Sequence, residues 1–308
     1  MSLKKLIEVT KNGELGWKLP KKLYLIRNDI NDLFYVRNKN LKERLLEDRE
    51  YRNLRKKYHN YIDKYDFEEK QSVVNRTVWI CWLQGLENAP DLVKACVNSV
   101  KQNLKDFKIV ILTEDNISDY VSFPKHIMEK YKKGIISRTH FSDILRVALL
   151  AQYGGLWIDS TVLCTDGDFA DYIIKLPIFA YKVMNLDRND EEAIVCSSWL
   201  ISARSHNPIL MLTRDLVYEY WKTHKYVTNF FLIHLLFAMA ARKYNDIWKD
   251  VPMFNNRSPH TLMFELGDEY SEERWKQIEK ISSFHKLTRH FDYNIKNSNY
   301  KHIMEIFL

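Results

Sequence analysis

The sequence predicts an α/β fold with a mostly parallel central sheet flanked by helices, and three consecutive segments support this prediction. Residues 77–83 are β-branched, aromatic and nearly free of polar groups, as expected of a strand that is buried on both faces. Apolar residues at helical spacing follow over 91–103, and a second apolar run covers 108–113. These segments make a βαβ unit, in which the two strands run parallel.

The helix predicted over 138–153 is the most regular element of the chain. Its apolar residues recur at i, i+3, i+4, i+7 and i+8, so they form one continuous stripe. Gly154 and Gly155 end it, as glycines in the left-handed conformation commonly do. The remaining predicted elements are strands at 156–159, 177–183 and 194–201, helices at 206–223, 226–243 and 271–280, and a loop-like run at 282–299.

Composition excludes several other classes of protein. The 308 residues include 13% aromatics but only 8 Gly and 7 Pro, which excludes collagen-like and disordered chains and disfavours an all-β chain with many tight turns. The four cysteines form no CxxC pair, so we expect free thiols. The longest apolar run, 230–241, is about half of the roughly 20 residues that a membrane helix needs, and the polar N-terminus argues against a signal peptide. We therefore expect a soluble protein in a reducing compartment.

The positive charge of the chain is concentrated in its first quarter. Residues 1–76 carry 19 basic and 12 acidic side chains, whereas the rest carries 28 of each, so the net charge of +7 belongs to this segment. The stretch 41–57 lacks Gly and Pro and mixes both signs, which predicts an exposed helix with intrahelical ion pairs. It is either a solvated extension or a surface for anionic phospholipid or nucleic acid. We place a basic helical extension at 1–76 and the main domain at 77–308.

The chain has no GxGxxG, GxxxxGK[ST], HExxH or GxSxG motif and no cysteine–histidine spacing typical of zinc. Three other polar residues are the main candidates for chemistry. Asp143 and Arg146 are three residues apart on one face of the predicted helix, and Asp159 ends the short strand that follows. Ligands of parallel sheets bind at the carboxyl ends of the strands. A carboxylate there can hold a hard cation that binds a diphosphate, and Arg146 can donate to phosphate or sugar oxygens. The alternative is a surface Asp–Arg pair beside a turn.

The segment 138–161, RTHFSDILRVALLAQYGGLWIDST, resembles the core signature of the GT-A nucleotide-sugar glycosyltransferases of the capsular polysaccharide synthesis family, which are related to the DXD-containing glycosyltransferases. The strand VWICWLQGLENAP is similar to the first nucleotide-binding strand of that family, and FHKLTRH, residues 284–290, is similar to its C-terminal phosphate-contacting segment. The resemblance covers roughly residues 78–290 and implies a GT-A-like nucleotide-sugar-binding fold.

The resemblance also implies roles for the three candidate residues. Asp143 and Arg146 correspond to positions that bind the ribose and the sugar hydroxyls of the donor. Asp159 corresponds to the first Asp of DXD, at the metal–diphosphate site. The second Asp is Thr161 in this chain. Mn²⁺ or Mg²⁺ would therefore be held by Asp159, the diphosphate and waters, since magnesium keeps several waters in its shell.

Basic residues near the C-terminus offer an alternative to the metal. Lys286, His285 or Arg289 would neutralise the leaving diphosphate without a cation. The remaining residues expected at the nucleotide sugar follow the first two strands: Trp82, Gln84, Gly85 and Thr113. Two weaker hypotheses concern His234, a core histidine or a site residue, and the pair Asp166 and Asp168, a turn or a contact with metal or acceptor.

The function implied by the resemblance is a hexosyltransferase of capsular or cell-surface polysaccharide synthesis. The donor is a UDP-sugar, with galactose or glucose favoured, the acceptor is a lipid-linked saccharide, and retention gives an α-linkage. The enzyme is expected in the cytoplasm at the inner face of a bacterial plasma membrane, in contact with anionic lipid and without a nucleic-acid partner. Two alternatives remain: a non-enzymatic protein that binds nucleic acid or a membrane surface through residues 1–76, and an inactive glycosyltransferase-like scaffold, suggested by Thr161.

Overall fold

The structure is a computed structural model that describes residues 39–66, 71–183, 192–290 and 296–308. The first half of the predicted basic extension, 1–38, and residues 291–295 of the predicted loop-like run lie outside the described residues. The strands are β1 (Thr77–Cys81), β2 (Lys108–Leu112), β3 (Gly155–Ile158), β4 (Val162–Cys164), β5 (Ile178–Lys182), β6 (Cys196–Ala203) and β7 (Phe284–Lys286). The helices are α1 (Lys39–Asp63), α2 (Asp91–Asn103), α3 (Lys125–Lys132), α4 (Arg138–Tyr153), α5 (Asp168–Ile173), α6 (Pro208–Thr223), α7 (Leu232–Lys243), α8 (Asn245–Lys249), α9 (Thr261–Phe264), α10 (Glu272–Ile281) and α11 (Asn299–Phe307).

The central sheet has five strands in the order β2-β1-β3-β6-β5. β1 pairs in parallel with both β2 and β3, while β6 runs antiparallel between β3 and β5. Because only β6 is reversed, the other strands of this sheet point the same way. The predicted α/β fold with a mostly parallel sheet and flanking helices is confirmed. Helices α2 and α4 have the predicted bounds, whereas α3 and α11 were not predicted.

A second, two-stranded sheet corrects the prediction of a loop-like run at 282–299. β7 lies inside that run and pairs antiparallel with β4, so that Val162 faces Lys286 and Cys164 faces Phe284. A strand of three residues is too short to show a period of two in the sequence. Its pairing with a partner far along the chain, rather than local propensity, makes it a strand.

The turn from α4 into β3 requires both of its glycines. Gly154 has φ 67° and Gly155 has φ 97°, a region that side chains with a Cβ rarely adopt. A Cβ at Gly154 would lie 2.5 Å from the backbone nitrogen of Ser205, and one at Gly155 would lie 2.5 Å from the carbonyl oxygen of Thr77. Because glycine has no Cβ, the turn can lie directly against the backbones of Ser205 and Thr77, and α4 passes into β3 without a longer loop.

Helix α1 packs on the main core of the domain. Tyr51, Leu54, Tyr58 and Ile62 recur at helical spacing, are buried and belong to the same hydrophobic cluster as β1 and β3. The helix contacts α7. The predicted helix is thus present, and one of its faces is buried rather than solvated. The domain boundary between residues 76 and 77 stays a prediction.

Two smaller sequence-based expectations concern cysteines and membrane helices. The four cysteines are free thiols, as predicted, and three of them are buried. In the part of the chain that the structure describes, no helix has both the length and the apolar character needed to cross a bilayer.

Candidate functional site

A cleft of about 920 Å³ opens at the carboxyl edge of the parallel strands. β1 and β3 both end there, and β6 begins there because it runs in the opposite direction. The cleft is lined by residues that directly follow β1 and β3, by the polar face of α4, and by the first residues of β6. This is the edge at which ligands of open α/β sheets bind.

Arg146 joins the two candidate carboxylates. Its Nη1 lies 3.0 Å from Asp143 Oδ1, and its Nη2 donates to Asp159 Oδ1 at 2.9 Å. The residue is only 4% exposed, and its guanidinium carbon lies 5.0 Å from the centre of the Trp157 ring. Among the described residues, its buried Nε and Nη1 have no partner with hydrogen-bond geometry, although Nη1 is within ion-pair distance of Asp143. A guanidinium paired with two carboxylates, with donors on two nitrogens that make no hydrogen bond, can bind an oxygen of an anionic or hydroxylated ligand.

Asp159 accepts hydrogen bonds from two neighbouring side chains and lies near the ammonium group of a third. Its Oδ1 accepts hydrogen bonds from Arg146 Nη2 and Trp157 Nε1, both at 2.9 Å. Its Oδ2 lies 3.9 Å from Lys286 Nζ. The carboxylate is therefore ordered by neighbouring donors and compensated by two cations.

Lys286 is brought to this carboxylate by the second sheet. β7 pairs with β4, and the N–H of Leu287 donates to the carbonyl oxygen of Thr161 at 2.9 Å. The ammonium group then donates to Thr161 Oγ1 at 2.5 Å. A cationic nitrogen thus lies close to the side chains of both Asp159 and Thr161, the two positions that the resemblance matches to DXD.

Burial shifts the titration of the polar groups around α4. Burial raises the pKa of Asp143 from 3.8 to about 6, and the charge of Asp159 adds to this rise while Arg146 opposes it. Burial lowers the pKa of His140 to about 4, so this ring is neutral at pH 7. It accepts a hydrogen bond from Trp221 Nε1 at 3.2 Å. Asp143 is consequently the group at this site that titrates just below neutrality.

The side chains at the predicted metal position do not fit a divalent cation held by the protein. Within the described ranges, no group of three or more His, Cys, Asp or Glu side chains is placed to hold a metal ion. Asp159 uses one oxygen for two donors, and the hydroxyl of Thr161 accepts from Lys286. Hard cations need several free oxygen ligands. Dependence on Mn²⁺ or Mg²⁺ stays a prediction from the resemblance.

The other predicted site residues divide into two groups. Trp82, Gln84, Lys286, Arg289 and His234 line the cleft, with Trp82 at the end of β1, where its ring lies 5.6 Å from the guanidinium carbon of Arg289. Gly85, Thr113 and His285 do not line it. Thr113 follows β2, which is separated from β3 by β1, and its N–H is capped by Asn116 at 2.9 Å. His285 is fully buried, and since alternate residues of a strand point to opposite sides, it lies on the side of β7 opposite to Lys286.

The weaker candidates are also placed. Burial lowers the pKa of His234 to about 4, so it is neutral at the wall of the cleft. Asp166 Oδ1 accepts from the N–H of Asp168 at 3.0 Å, which is the predicted turn, and neither residue lines the cleft.

Several cleft residues were not found from the sequence. They come from α1, β6 and the segments beside α7 and α9, namely Arg44, Glu47, Asp48, Trp199, Phe231 and Asn256. Arg44 Nη2 lies 3.9 Å from Glu192 Oε1 and so links α1 to the segment before β6. No spacing pattern connects these segments in the sequence, so only tertiary contacts identify them.

The fold and the cleft define an α/β protein of the class that binds its ligand at the carboxyl edge of a largely parallel sheet. The family model for capsular polysaccharide synthesis proteins matches residues 29–304. The chain belongs to this family. The predicted family is therefore confirmed over most of the chain. The match includes α1, which lies outside the segment 78–290 that carries the resemblance.

Two known proteins are similar to parts of the chain, one to a short segment and one to most of it. O-glycosyltransferase braB of Annulohypoxylon truncatum is 30% identical over 95 residues, which cover 28% of this chain and 23% of that protein. The chain therefore spans about a quarter of the length of this relative. The solved structure of the PaToxG glycosyltransferase aligns with 87% of this chain and 98% of its own, at a TM-score of 0.36 and 13% identity.

Proposed function

We propose that this chain is a glycosyltransferase that moves a hexose, galactose or glucose, from a UDP-sugar to a lipid-linked saccharide in capsular or cell-surface polysaccharide synthesis. Membership in the capsular polysaccharide synthesis family supports the pathway. The observation that carries the proposal is the buried Arg146 between Asp143 and Asp159 in the cleft at the carboxyl edge of β1 and β3. The GT-A-like fold that the resemblance implies is consistent with this topology.

The residues of the cleft suit the departure of a nucleoside diphosphate. Negative charge develops on the leaving oxygen as the bond to the sugar breaks, so pre-placed donors and cations lower the barrier. Lys286 and Arg289 line the same cleft as Arg146 and bring further positive charge to it. Asp143 and Arg146 would hold sugar hydroxyls through charge-assisted hydrogen bonds. Asp159 orients Arg146 and Lys286. A retaining transfer, giving an α-linkage, is part of this proposal.

The base of the nucleotide has a candidate surface at the end of β1. Trp82 is partly exposed in the cleft, and its indole Nε1 has no hydrogen-bond partner within the described part of the chain. An aromatic ring at the end of a strand can stack on a base. Gln84 follows it along the same wall and is exposed. We assign the uridine to this side of the cleft and the sugar to the side of α4.

The acceptor that we propose brings the enzyme to the cytoplasmic face of the plasma membrane. Arg52, Arg55 and Lys56 are exposed and lie at i, i+3 and i+4 on α1, so they share one face. Basic residues near an anionic leaflet contribute about 1 kcal/mol each. This surface would hold the cleft near a lipid-linked acceptor.

Donor hydrolysis tests the proposed activity directly. UDP release from UDP-glucose, UDP-galactose and UDP-N-acetyl sugars is measured with the purified chain and with Asp143→Asn, with Asp119→Asn as a control at an exposed aspartate outside the cleft. We expect release from one donor class, loss in Asp143→Asn and no change in Asp119→Asn. Donor binding without release by wild type would favour the inactive scaffold. Salt-sensitive binding of random DNA, with no donor binding, would favour the nucleic-acid alternative.

A further inference from the structure

We propose that the ammonium group of Lys286 takes the place of the divalent cation at the donor diphosphate, so that this protein transfers its sugar without a metal ion. The inference rests on the proposed glycosyltransferase function and adds to it the means by which the diphosphate is bound. Three observations carry it: the position of the ammonium group, the limited ligand capacity of Asp159, and the like charge that a metal ion would meet.

The ammonium group lies where a cation bridging positions 159 and 161 would lie. Lys286 Nζ is 2.5 Å from Thr161 Oγ1 and 3.9 Å from Asp159 Oδ2. This position is built into the fold, because β7 pairs with β4 and the N–H of Leu287 donates to the carbonyl oxygen of Thr161. Lysine carries three donors, and here the hydroxyl of Thr161 and the carbonyl oxygen of Leu287, at 3.3 Å, accept from it. The ammonium group therefore keeps a donor for a phosphate oxygen.

The carboxylate that would remain for a metal has little capacity left. Asp159 Oδ1 accepts from both Arg146 and Trp157, which leaves Oδ2 as its available oxygen. Thr161 contributes a neutral hydroxyl where the DXD pattern has a second carboxylate. One available carboxylate oxygen is a weak anchor for Mn²⁺ or Mg²⁺.

The surrounding charge also disfavours a divalent cation. An ion coordinated by Asp159 Oδ2 would lie beside the ammonium of Lys286 and near the guanidinium of Arg146, and both repel it. The same positive charges attract an anionic diphosphate. Lys286, Arg146 and Arg289 all line the cleft, so a diphosphate bound there meets positively charged side chains.

The transfer step balances without a metal ion. The bond from the anomeric carbon to the β-phosphate oxygen breaks, and its electron pair stays on UDP. The acceptor hydroxyl oxygen forms the new bond to the anomeric carbon, and its proton passes to the departing diphosphate. Lys286 donates a hydrogen bond to that diphosphate while the charge develops there, which is the electrostatic role otherwise filled by a cation.

Hydrolysis of the UDP-sugar in excess EDTA is the first test, and it needs no variant. We expect wild type to keep its turnover in EDTA and to gain none from Mn²⁺. Lys286→Ala should lose about 100-fold in kcat in the same buffer, as expected for the removal of one donor to a developing anion. Lys286→Arg should restore most of this loss. Lys175→Ala, at an exposed lysine that does not line the cleft, is the matched control and should be unchanged.

A second test replaces the ammonium group of Lys286 by Mn²⁺. In Thr161→Asp alone, the new carboxylate would pair with Lys286, so Mn²⁺ titration calorimetry with UDP present should show no tighter binding than in wild type. In Thr161→Asp combined with Lys286→Ala, two carboxylates face the diphosphate without the ammonium group. This double variant should bind Mn²⁺ in the presence of UDP and should hydrolyse the donor only when Mn²⁺ is added.

The outcomes separate this inference from the proposed function. Wild-type turnover that is lost in EDTA and restored by Mn²⁺ would overturn the inference and leave the glycosyltransferase function standing. Equal turnover of wild type and Lys286→Ala in EDTA would do the same. Neither UDP binding nor donor hydrolysis by wild type, with or without Mn²⁺, would overturn the proposed function and this inference with it.

Discussion

The two halves of the cleft are built by the chain in different ways. One half is a continuous segment, in which α4, the glycine pair and β3 carry Asp143, Arg146 and Asp159. The other half is assembled from distant segments, and Lys286 is 125 residues away in the chain from the Thr161 hydroxyl that it contacts. Helical spacing and two glycines determine the geometry of the first half. Strand register and core packing determine that of the second, so the two halves respond to different substitutions.

The largest effect is expected at Arg146, which belongs to the continuous half. Arg146→Met removes the buried group between Asp143 and Asp159, and it should lower donor turnover about 1000-fold if the sugar and diphosphate depend on it. It should also lower the free energy of unfolding by about 3 kcal/mol, since two carboxylates lose their partner. Donor hydrolysis and urea unfolding measure the two effects. Arg146→Lys should not restore turnover, because one ammonium cannot reproduce the forked contact. Wild-type turnover in Arg146→Met would contradict the assignment of the site.

The distant half is tested by removing a side chain that attaches α1 to the domain. Leu54→Ala should lower the free energy of unfolding by about 3 kcal/mol, because Leu54 is only 3% exposed in the main core. Asn53→Ala, at the exposed neighbour, should change it little. Urea unfolding measures both. An unchanged midpoint in Leu54→Ala would show that α1 is a solvated extension after all.

The turn in the continuous half is tested at Gly155. Gly155→Ala forces a Cβ into a backbone with φ 97° and within 2.5 Å of the carbonyl oxygen of Thr77. We therefore expect urea unfolding to show a free energy of unfolding lowered by about 2 kcal/mol. Gly134→Ala, at a glycine with φ 70° after α3, is the control for backbone conformation. A loss no larger than that of the control would mean that close approach to β1 is unimportant.

A pH profile distinguishes the role of Asp143 in binding from its effect on stability. The pKa of Asp143 is raised to about 6, so its carboxylate is mostly present at pH 7 and mostly protonated at pH 5. If the charged form binds the sugar hydroxyls, kcat/KM should fall about tenfold between these values. Since the folded pKa lies above the unfolded value of 3.8, the stability contributed by this group is present below about pH 4 and lost as the pH rises to about 6. Activity and this part of the stability should run in opposite directions with pH. The residual turnover of Asp143→Asn should lack this step.

The last expected effect is on membrane binding, not on activity or folding, and concerns the exposed basic face of α1. Replacing Arg52, Arg55 and Lys56 by Glu should weaken binding to vesicles that contain anionic phosphatidylserine, at about 1 kcal/mol per well-placed residue. Vesicle sedimentation measures it, with neutral vesicles as the control. Donor hydrolysis should be unchanged, because none of the three side chains lines the cleft, and the free energy of unfolding should change little, because all three are exposed. Unaltered vesicle binding would remove the membrane role from α1.

Much of the fold and half of the site could be predicted from the sequence. The features that could be predicted depend on contacts within a short segment, and those that could not depend on contacts between distant segments. The bounds of α2 and α4 match because each is a long segment with apolar residues at helical spacing. The meeting of Asp143 with Arg146 follows from their spacing on one helix. Gly85 and Thr113 were expected at the cleft because they follow strands, but the order of the strands in the sheet, and so the position of each loop, is not visible in a local pattern.

The sequence by itself determined the βαβ unit, the α4–glycine–β3 turn and the closeness of Asp143, Arg146 and Asp159, because these depend on backbone periodicity and on contacts within about one helix and one strand. Only the tertiary structure decided that 284–286 is a strand, that α1 shares the main core, and that Lys286 lies beside Asp159 and Thr161. These features depend on the register of β7 on β4 and on packing between segments far apart in the chain. Such contacts leave no periodic trace in a single sequence, since their energy comes from surfaces that meet only after folding.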